Sequence, residues 1–489
     1  MFKNKNFRIM AEVLLLVVLS TVMAFASAEG GHHHVNLGEM LPLWSCIPFV
    51  GMLLSIAIVP LVKPHWWEHN MLKVALGWAL LFLVPFGIVF GAGLLTFQVV
   101  EVILLDYLPF IVLLFGLFVA AGGIVLKGTL VGTTKTNLVL LLIGTALSSW
   151  VGTTGAAMLM IRPIIRANAW REKKAHIIVF FIFMVANIGG CLTPVGDPPL
   201  FLGFLRGVPF FWTMKLLPIM LFNITILSVL FFIIDSKMYK KEIAAGRTPE
   251  SMIGNNGKEP LKIEGAHNFI FILMIVGAVI LNGLLPSFEA FADQATGELY
   301  GVTIAGVLFP YNSIVQIAII LVAAALSMVT TKKSTRELNS FTFAPIEEVA
   351  KLFIGIFLTM IPALAILKAN GAALGLEEPW QFFWMTGALS SFLDNAPTYL
   401  VFLTTAGATG FTSGVATTVG TVGVKHLMAI SAGAVFMGAN TYIGNAPNFM
   451  VKSIAEENKI KMPSFFGYMA WSFSILVPLF LIDTLVFFL

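Results

Sequence analysis

The chain has 489 residues, 58% of them hydrophobic and only 11% charged, with a formal net charge of +4. So few charges cannot wrap this much apolar side chain in a water-facing surface, which excludes a water-soluble globular fold and leaves a bilayer as the solvent. The basic residues sit in short connections between apolar runs, where they act as topology signals and imply no nucleic-acid partner. The two cysteines, Cys46 and Cys191, give neither a disulfide framework nor a zinc cluster.

At the N-terminus, Lys3, Lys5 and Arg8 precede an apolar stretch and the small-residue run Ala26-Ser27-Ala28. Residues 1–28 therefore read as a signal peptide or an uncleaved signal-anchor, and the chain after them starts outside. His32, His33 and His34 follow on a linker, where three adjacent imidazoles rarely converge on one ion. Apolar runs of membrane-crossing length then occupy about 41–62, 71–92, 108–126, 176–206, 211–235, 267–285, 312–330, 346–367, 425–457 and 465–488. The expected fold is all-α, with about ten transmembrane helices.

Two further apolar stretches, 137–168 and 372–406, are interrupted halfway, by Val-Gly-Thr-Thr-Gly at 151–155 and by Leu-Asp-Asn-Ala-Pro-Thr at 393–398. Each reads as a re-entrant hairpin that enters and leaves on one side. With that choice Lys127, Lys135, Arg171, Lys173, Lys174, Lys237, Lys240, Lys241, Arg247, Lys332, Lys333, Arg336, Lys459 and Lys461 all fall on one face. Making either stretch a full span would scatter them over both.

An internal repeat is also visible. Ala-Leu-Ser-Ser at 146–149 recurs at 388–391, 242 positions later, and Gly190, Thr193, Gly196, Pro199 and Phe201 recur 248 positions later as Gly438, Thr441, Gly444, Pro447 and Phe449. This sets a first repeat at 41–235, a linker at 236–266 and a second repeat at 267–489. The hairpins open from opposite sides, so the repeats are inverted, a transporter signature.

The candidate site lies at the helix breaks. Thr193-Pro-Val-Gly-Asp-Pro-Pro199 and Asn440-Thr-Tyr-Ile-Gly-Asn-Ala-Pro447 strand carbonyls at membrane depth, tolerable only against protein, water or an ion. Asp197 and Asp394 are the two carboxylates expected near the midplane, where an unpaired charge is costly and needs a partner. Asp197 corresponds to Asn445 and Asp394 to Gly152, so each pair of sites carries one acid. Burial disfavours a carboxylate's charge and a bound cation favours it, which sets sodium and protons in competition for one group. Asn187, Thr153, Thr154, Thr193, Asn395, Thr398, Asn440, Thr441 and Asn445 supply the neutral oxygens, with Na+ placed at Asp197, Asp394, Asn395 and Asn445. Helix-end capping is the alternative for the acids, and interhelical hydrogen bonding for the asparagines. Asp106, Asp235, Lys215, Lys368 and Asp483 lie near span ends and are assigned to the interface, as are His176, His267 and His426. Arg162 either balances Asp197 or reaches water.

The run Asn187 to Phe204, with Ser390-Ser-Phe-Leu-Asp-Asn-Ala-Pro-Thr398 and Gly438-Ala-Asn-Thr-Tyr-Ile-Gly-Asn-Ala-Pro-Asn448, resembles NhaD-type sodium/proton antiporters of the ion transporter superfamily. The likeness covers nearly the whole chain after the N-terminal segment. It implies a bacterial inner-membrane protein that extrudes sodium or lithium in exchange for protons, works as a homodimer, and has no cofactor beyond the transported ions. The signal-like N-terminus departs from what the repeat needs. Relatives that carry anions with sodium offer neutral groups at the hairpin tip where this chain has Asp394, which favours a cation. A sodium-coupled anion symporter is the alternative in the same class. An intramembrane aspartyl protease using Asp197 and Asp394 is the enzyme alternative, but Pro194-Val195-Gly196 precedes Asp197 in place of that family's Gly-X-Gly.

Overall fold

A computed structural model describes residues 36–249 and 259–489. The expected signal segment, 1–28, and the histidine run at 32–34 lie outside the described residues. What is described is helical apart from three two-stranded ribbons.

Eight helices are long and apolar enough to cross a membrane: Leu43–Pro60, Pro64–Phe90, Ala92–Ala121, Phe210–Ala244, Asn268–Ser287, Tyr311–Thr330, Ala344–Leu374 and Phe465–Phe488. They overlap eight of the expected spans, although the second begins at Pro64 where 71 was expected and the third at Ala92 where 108 was expected, and the other two expected stretches are broken helices. The molecule is thus an all-α, multi-pass membrane protein. In chain order we name α1 (Ile47–Val62), α2 (Pro64–Phe90), α3 (Ala92–Ala121), α4 (Thr134–Val151), α5 (Thr153–Ala167), α6 (Ala175–Met184), α7 (Pro198–Leu205) and α8 (Leu217–Ala244). There follow α9 (Asn268–Leu284), α10 (Tyr311–Thr330), α11 (Ala344–Asn370), α12 (Pro379–Ser390), α13 (Asn395–Ala408), α14 (Val424–Met437), α15 (Ala446–Glu457) and α16 (Phe465–Asp483).

Local chemistry sets these boundaries. Thr133 caps α4 by accepting from the Thr136 amide at 3.2 Å, and Ser464 caps α16 through the Gly467 amide at 3.2 Å. Glu378 and Gln381 close a capping box at the start of α12. Pro198 and Pro199 open α7 and Pro447 opens α15, at positions where a missing amide costs nothing. Residues 236–244, assigned to the linker by sequence, continue α8 as helix.

The two halves of the chain interleave. α3 packs against α9 and α10 from the second half, whereas α11 packs against α1 and α2 from the first. Gly355 of α11 lets the last of these crossings close: a Cβ there would sit 2.7 Å from the Cβ of Ala75 on α2. Basic residues of the connections are tied to neighbouring segments. Lys127 pairs with Glu264 at 2.7 Å, Arg336 donates to the Val119 carbonyl at 3.0 Å, and Arg247 reaches Glu242 at 3.1 Å, which in turn accepts from the Lys173 amide at 2.8 Å.

Three aspartates and a histidine assigned by sequence to the interface are inside the protein. Asp106 sits within α3, in a π-helical stretch at Val102–Tyr107, and accepts from Arg206 at 2.8 Å. Asp235 is fully buried against Arg171, with His176 Nε2 at 2.7 Å, and Asp483 is fully buried beside Asn223. Hydropathy placed these groups near span ends; lateral packing of neighbouring helices, which hydropathy does not register, buries them. Lys215 and Lys368 are exposed, and His267 and His426 are half-buried.

Candidate functional site

Each interrupted stretch is a pair of helices, α4–α5 and α12–α13, packed side by side. The first turn is a single residue, Gly152, at φ 79° and ψ 150°, a conformation that side chains rarely tolerate. The second takes the corresponding Asp394, whose side chain caps α13 by accepting from the Ala396 amide at 3.0 Å.

The broken helices run α6, then a 3₁₀ turn at Ile188–Leu192, then α7, and α14, then a turn at Gly438–Asn440, then α15. Their hydrogen bonds recur at equivalent positions. Thr193 donates to the Ser149 carbonyl as Thr441 donates to that of Ser391, and Ser149 donates to the Gly189 carbonyl as Ser391 donates to that of Met437. Gly190 and Gly196 approach so closely that a Cβ on Gly196 would lie 2.1 Å from the Gly190 carbonyl oxygen; at the equivalent Gly444 the gap to Gly438 is 2.6 Å. Beyond the breaks the partners cross over: α7 packs on α13 of the other hairpin, and α15 packs on α5.

That crossing makes the site. Asp197 is the N-cap residue of α7 and only 1% exposed. Its Oδ1 accepts from Thr153 Oγ1 at 2.8 Å and from Asn445 Nδ2 at 3.3 Å, and its Oδ2 accepts from Asn395 Nδ2 at 2.6 Å. Thr153 and Asn395 are equivalent first residues of α5 and α13, and Asn445 holds the N-cap position of α15, so four helix N-termini meet at one carboxylate. Their partial positive charge favours an anion, and here the protein supplies it. Asp394 directly precedes Asn395, whose amide reaches Asp197.

The other candidates form a second layer. Asn445 Nδ2 also lies 3.2 Å from Asn187 Oδ1, and Asn187 Nδ2 donates to Asn448 Oδ1 at 2.7 Å. Asn448 donates to the carbonyls of Gly438 and Thr441 at 2.8 and 2.9 Å, holding the second break open. Asn440 donates to Ser391 Oγ at 2.9 Å and leaves its Oδ1 without a partner. Thr193 and Thr441 brace hairpin tips, Thr398 turns back to the Asp394 carbonyl at 2.9 Å, and Thr154 is half-buried beside Thr153. Arg162 is half-buried on α5. Asn448 is the member that sequence reasoning passed over; its place directly after the Asn445-Ala-Pro447 motif was the available signal.

The family model CitMHS_2, described as "Putative citrate transport", matches residues 38–488. The chain belongs to this family. A CitMHS_2 member is a transporter, which fits paired broken helices better than a catalytic centre does. The description names citrate, whereas the motifs led to an expectation of sodium and protons. A search of curated proteins finds no match.

Proposed function

We propose that this CitMHS_2 protein exchanges sodium, and lithium, for protons, with Asp197 as the group that carries either ion. The observation that carries the reading is a fully buried carboxylate held at once by both hairpins and by its counterpart in the other half. Hydroxyl and amide groups suit this work because they serve two ways. Thr153, Asn395 and Asn445 donate to the bare carboxylate, and the same side chains present oxygen to a cation when they rotate. A sodium ion requires Asp197 ionised and a proton neutralises it, so the two exclude one another. Asp394 adds negative charge at the second hairpin tip. We take the halves to be inverted repeats and the hairpins re-entrant, in a bacterial inner membrane and as a homodimer; rocking of one bundle against the other would then expose the site alternately.

The test is proton flux in sealed proteoliposomes. Sodium and lithium added against an imposed proton gradient should collapse it and potassium should not. A gradient indifferent to sodium sinks the reading.

Sodium-coupled anion transport is the second reading, favoured by the family's description and by four converging helix N-termini. Against it stands the fixed acid. A substrate carboxylate about 4 Å from an ionised Asp197 would be repelled by about 4 kcal/mol at an effective dielectric near 20, roughly a thousandfold in affinity. Sodium-dependent accumulation of labelled citrate in the same vesicles would establish this reading instead.

A further inference from the structure

The last long helix of each half carries an aspartate at the same place, Asp235 on α8 and Asp483 at the end of α16, 248 positions apart. Both are fully buried. Their company differs. Asp235 has the guanidinium of Arg171 against it, His176 Nε2 at 2.7 Å and Asn137 Nδ2 at 3.5 Å. Asp483 has an amide alone: Asn223 Nδ2 lies 2.9 Å from each of its oxygens, and among the described residues no basic side chain bears on it.

Asn223 has its own unmet requirement. Its nitrogen also donates to the Ile219 carbonyl at 2.9 Å, and its Oδ1 is buried without any partner. Next to Asp483, Thr484 Oγ1 accepts from Trp384 Nε1 at 2.9 Å and donates to the Phe480 carbonyl at 2.8 Å. From Thr484 to Phe488 the helix widens into π turns, an irregularity that recurs at functional sites.

We propose that Asp483 and Asn223 form a second monovalent-cation site, filled by a proton or by a dehydrated sodium ion. A cation on Asp483, with the Asn223 amide turned so that its oxygen meets the ion, balances a buried charge that nothing else balances and gives the orphaned amide oxygen a partner. The ligand set is all oxygen with one carboxylate, which suits a hard monovalent ion and offers too little charge and too few donors for a divalent or transition metal. The site shares no residue with the Asp197 crossing and stands whether or not the exchange reading holds.

Infrared difference spectra of the full-length protein in liposomes test it. Wild type and Asp483→Asn are compared in choline and in sodium over a pH series. In choline at neutral pH, wild type should show a protonated carboxyl band that Asp483→Asn lacks. If sodium converts that band to a carboxylate, the site takes both ions. If only base converts it, the ion is the proton alone. Carboxyl regions identical in wild type and variant at every pH and sodium concentration overturn the proposal. Should Asp483→Asn fail to fold, Asn223→Ser serves: the midpoint of the Asp483 band should move at least tenfold in ion concentration, and an unmoved midpoint removes Asn223 from the site.

Discussion

Asn445 Nδ2 lies 3.3 Å from Asp197 Oδ1, so a residue in one half of the chain hydrogen-bonds its own counterpart in the other. Two acids at this spacing would repel, and two amides would leave a cation no charge to bind. One acid and one amide give a single net charge shared by both halves.

The acid should therefore be movable. Asp197→Asn should abolish sodium-driven proton flux while the protein remains folded in the membrane. Adding Asn445→Asp to it returns a carboxylate to within hydrogen-bond reach of the same partners. The double variant should recover measurable sodium binding by calorimetry; a double variant as inert as the single one would mean that the position of the acid, and not only its charge, is required.

Asn395 gives the shorter of the two amide contacts, 2.6 Å to Asp197. In the proposed ion-bound state this amide turns its oxygen to the cation, a contact to a charged group worth about 1.5–3 kcal/mol, so Asn395→Ala should weaken sodium binding roughly ten- to a hundredfold. Thr153→Val, which keeps shape and removes the hydroxyl, should act in the same direction. The midpoint of sodium activation of proton flux measures both, and unchanged midpoints would place these groups outside the ion's reach.

Much of this site was legible in the sequence because its residues are small, polar and repeated at two offsets. Gly190, Gly196 and Thr193 could be read as one side of a pair since Gly438, Gly444 and Thr441 occupy the equivalent places. The crossover of α7 onto α13 was not legible: sequence periodicity says which face of a helix is apolar, not which of two similar hairpins it meets. The burial of Asp235 and Asp483 escaped for a related reason. Hydropathy measures position along a span, whereas Arg171 and Asn223 approach sideways from other segments.

Gly196→Ala tests the close approach at the first break. The added Cβ would fall 2.1 Å from a backbone oxygen that the 3₁₀ turn holds in place, so Gly190 or the hairpin tip must shift. The expected result is poor yield of folded protein, or a folded protein whose sodium midpoint has moved because Asp197 is the next residue. Gly444→Ala, with 2.6 Å available, should be milder in both respects. Thermal unfolding in detergent ranks the two.

Arg171 and Asp235 make a buried ion pair away from the crossing. Removing one partner of such a pair leaves an uncompensated charge and costs about 3–5 kcal/mol. Arg171→Gln should lower the unfolding temperature markedly and leave the sodium midpoint of the surviving protein unchanged. A shifted midpoint with little loss of stability would instead tie this cluster to transport.

Asp394 has two roles that a single substitution separates. As the cap of α13 it accepts from the Ala396 amide, and asparagine caps a helix about as well as aspartate does. Asp394→Asn therefore keeps the turn and removes only the charge. If the charge helps draw a cation to Asp197, proton flux should be lost in this variant although the protein unfolds at the wild-type temperature. Asp394→Ala would lose the cap as well, typically about 1 kcal/mol, and should unfold earlier. Wild-type flux in Asp394→Asn together with reduced stability in Asp394→Ala would make this residue a cap alone and leave Asp197 as the one acid in the exchange.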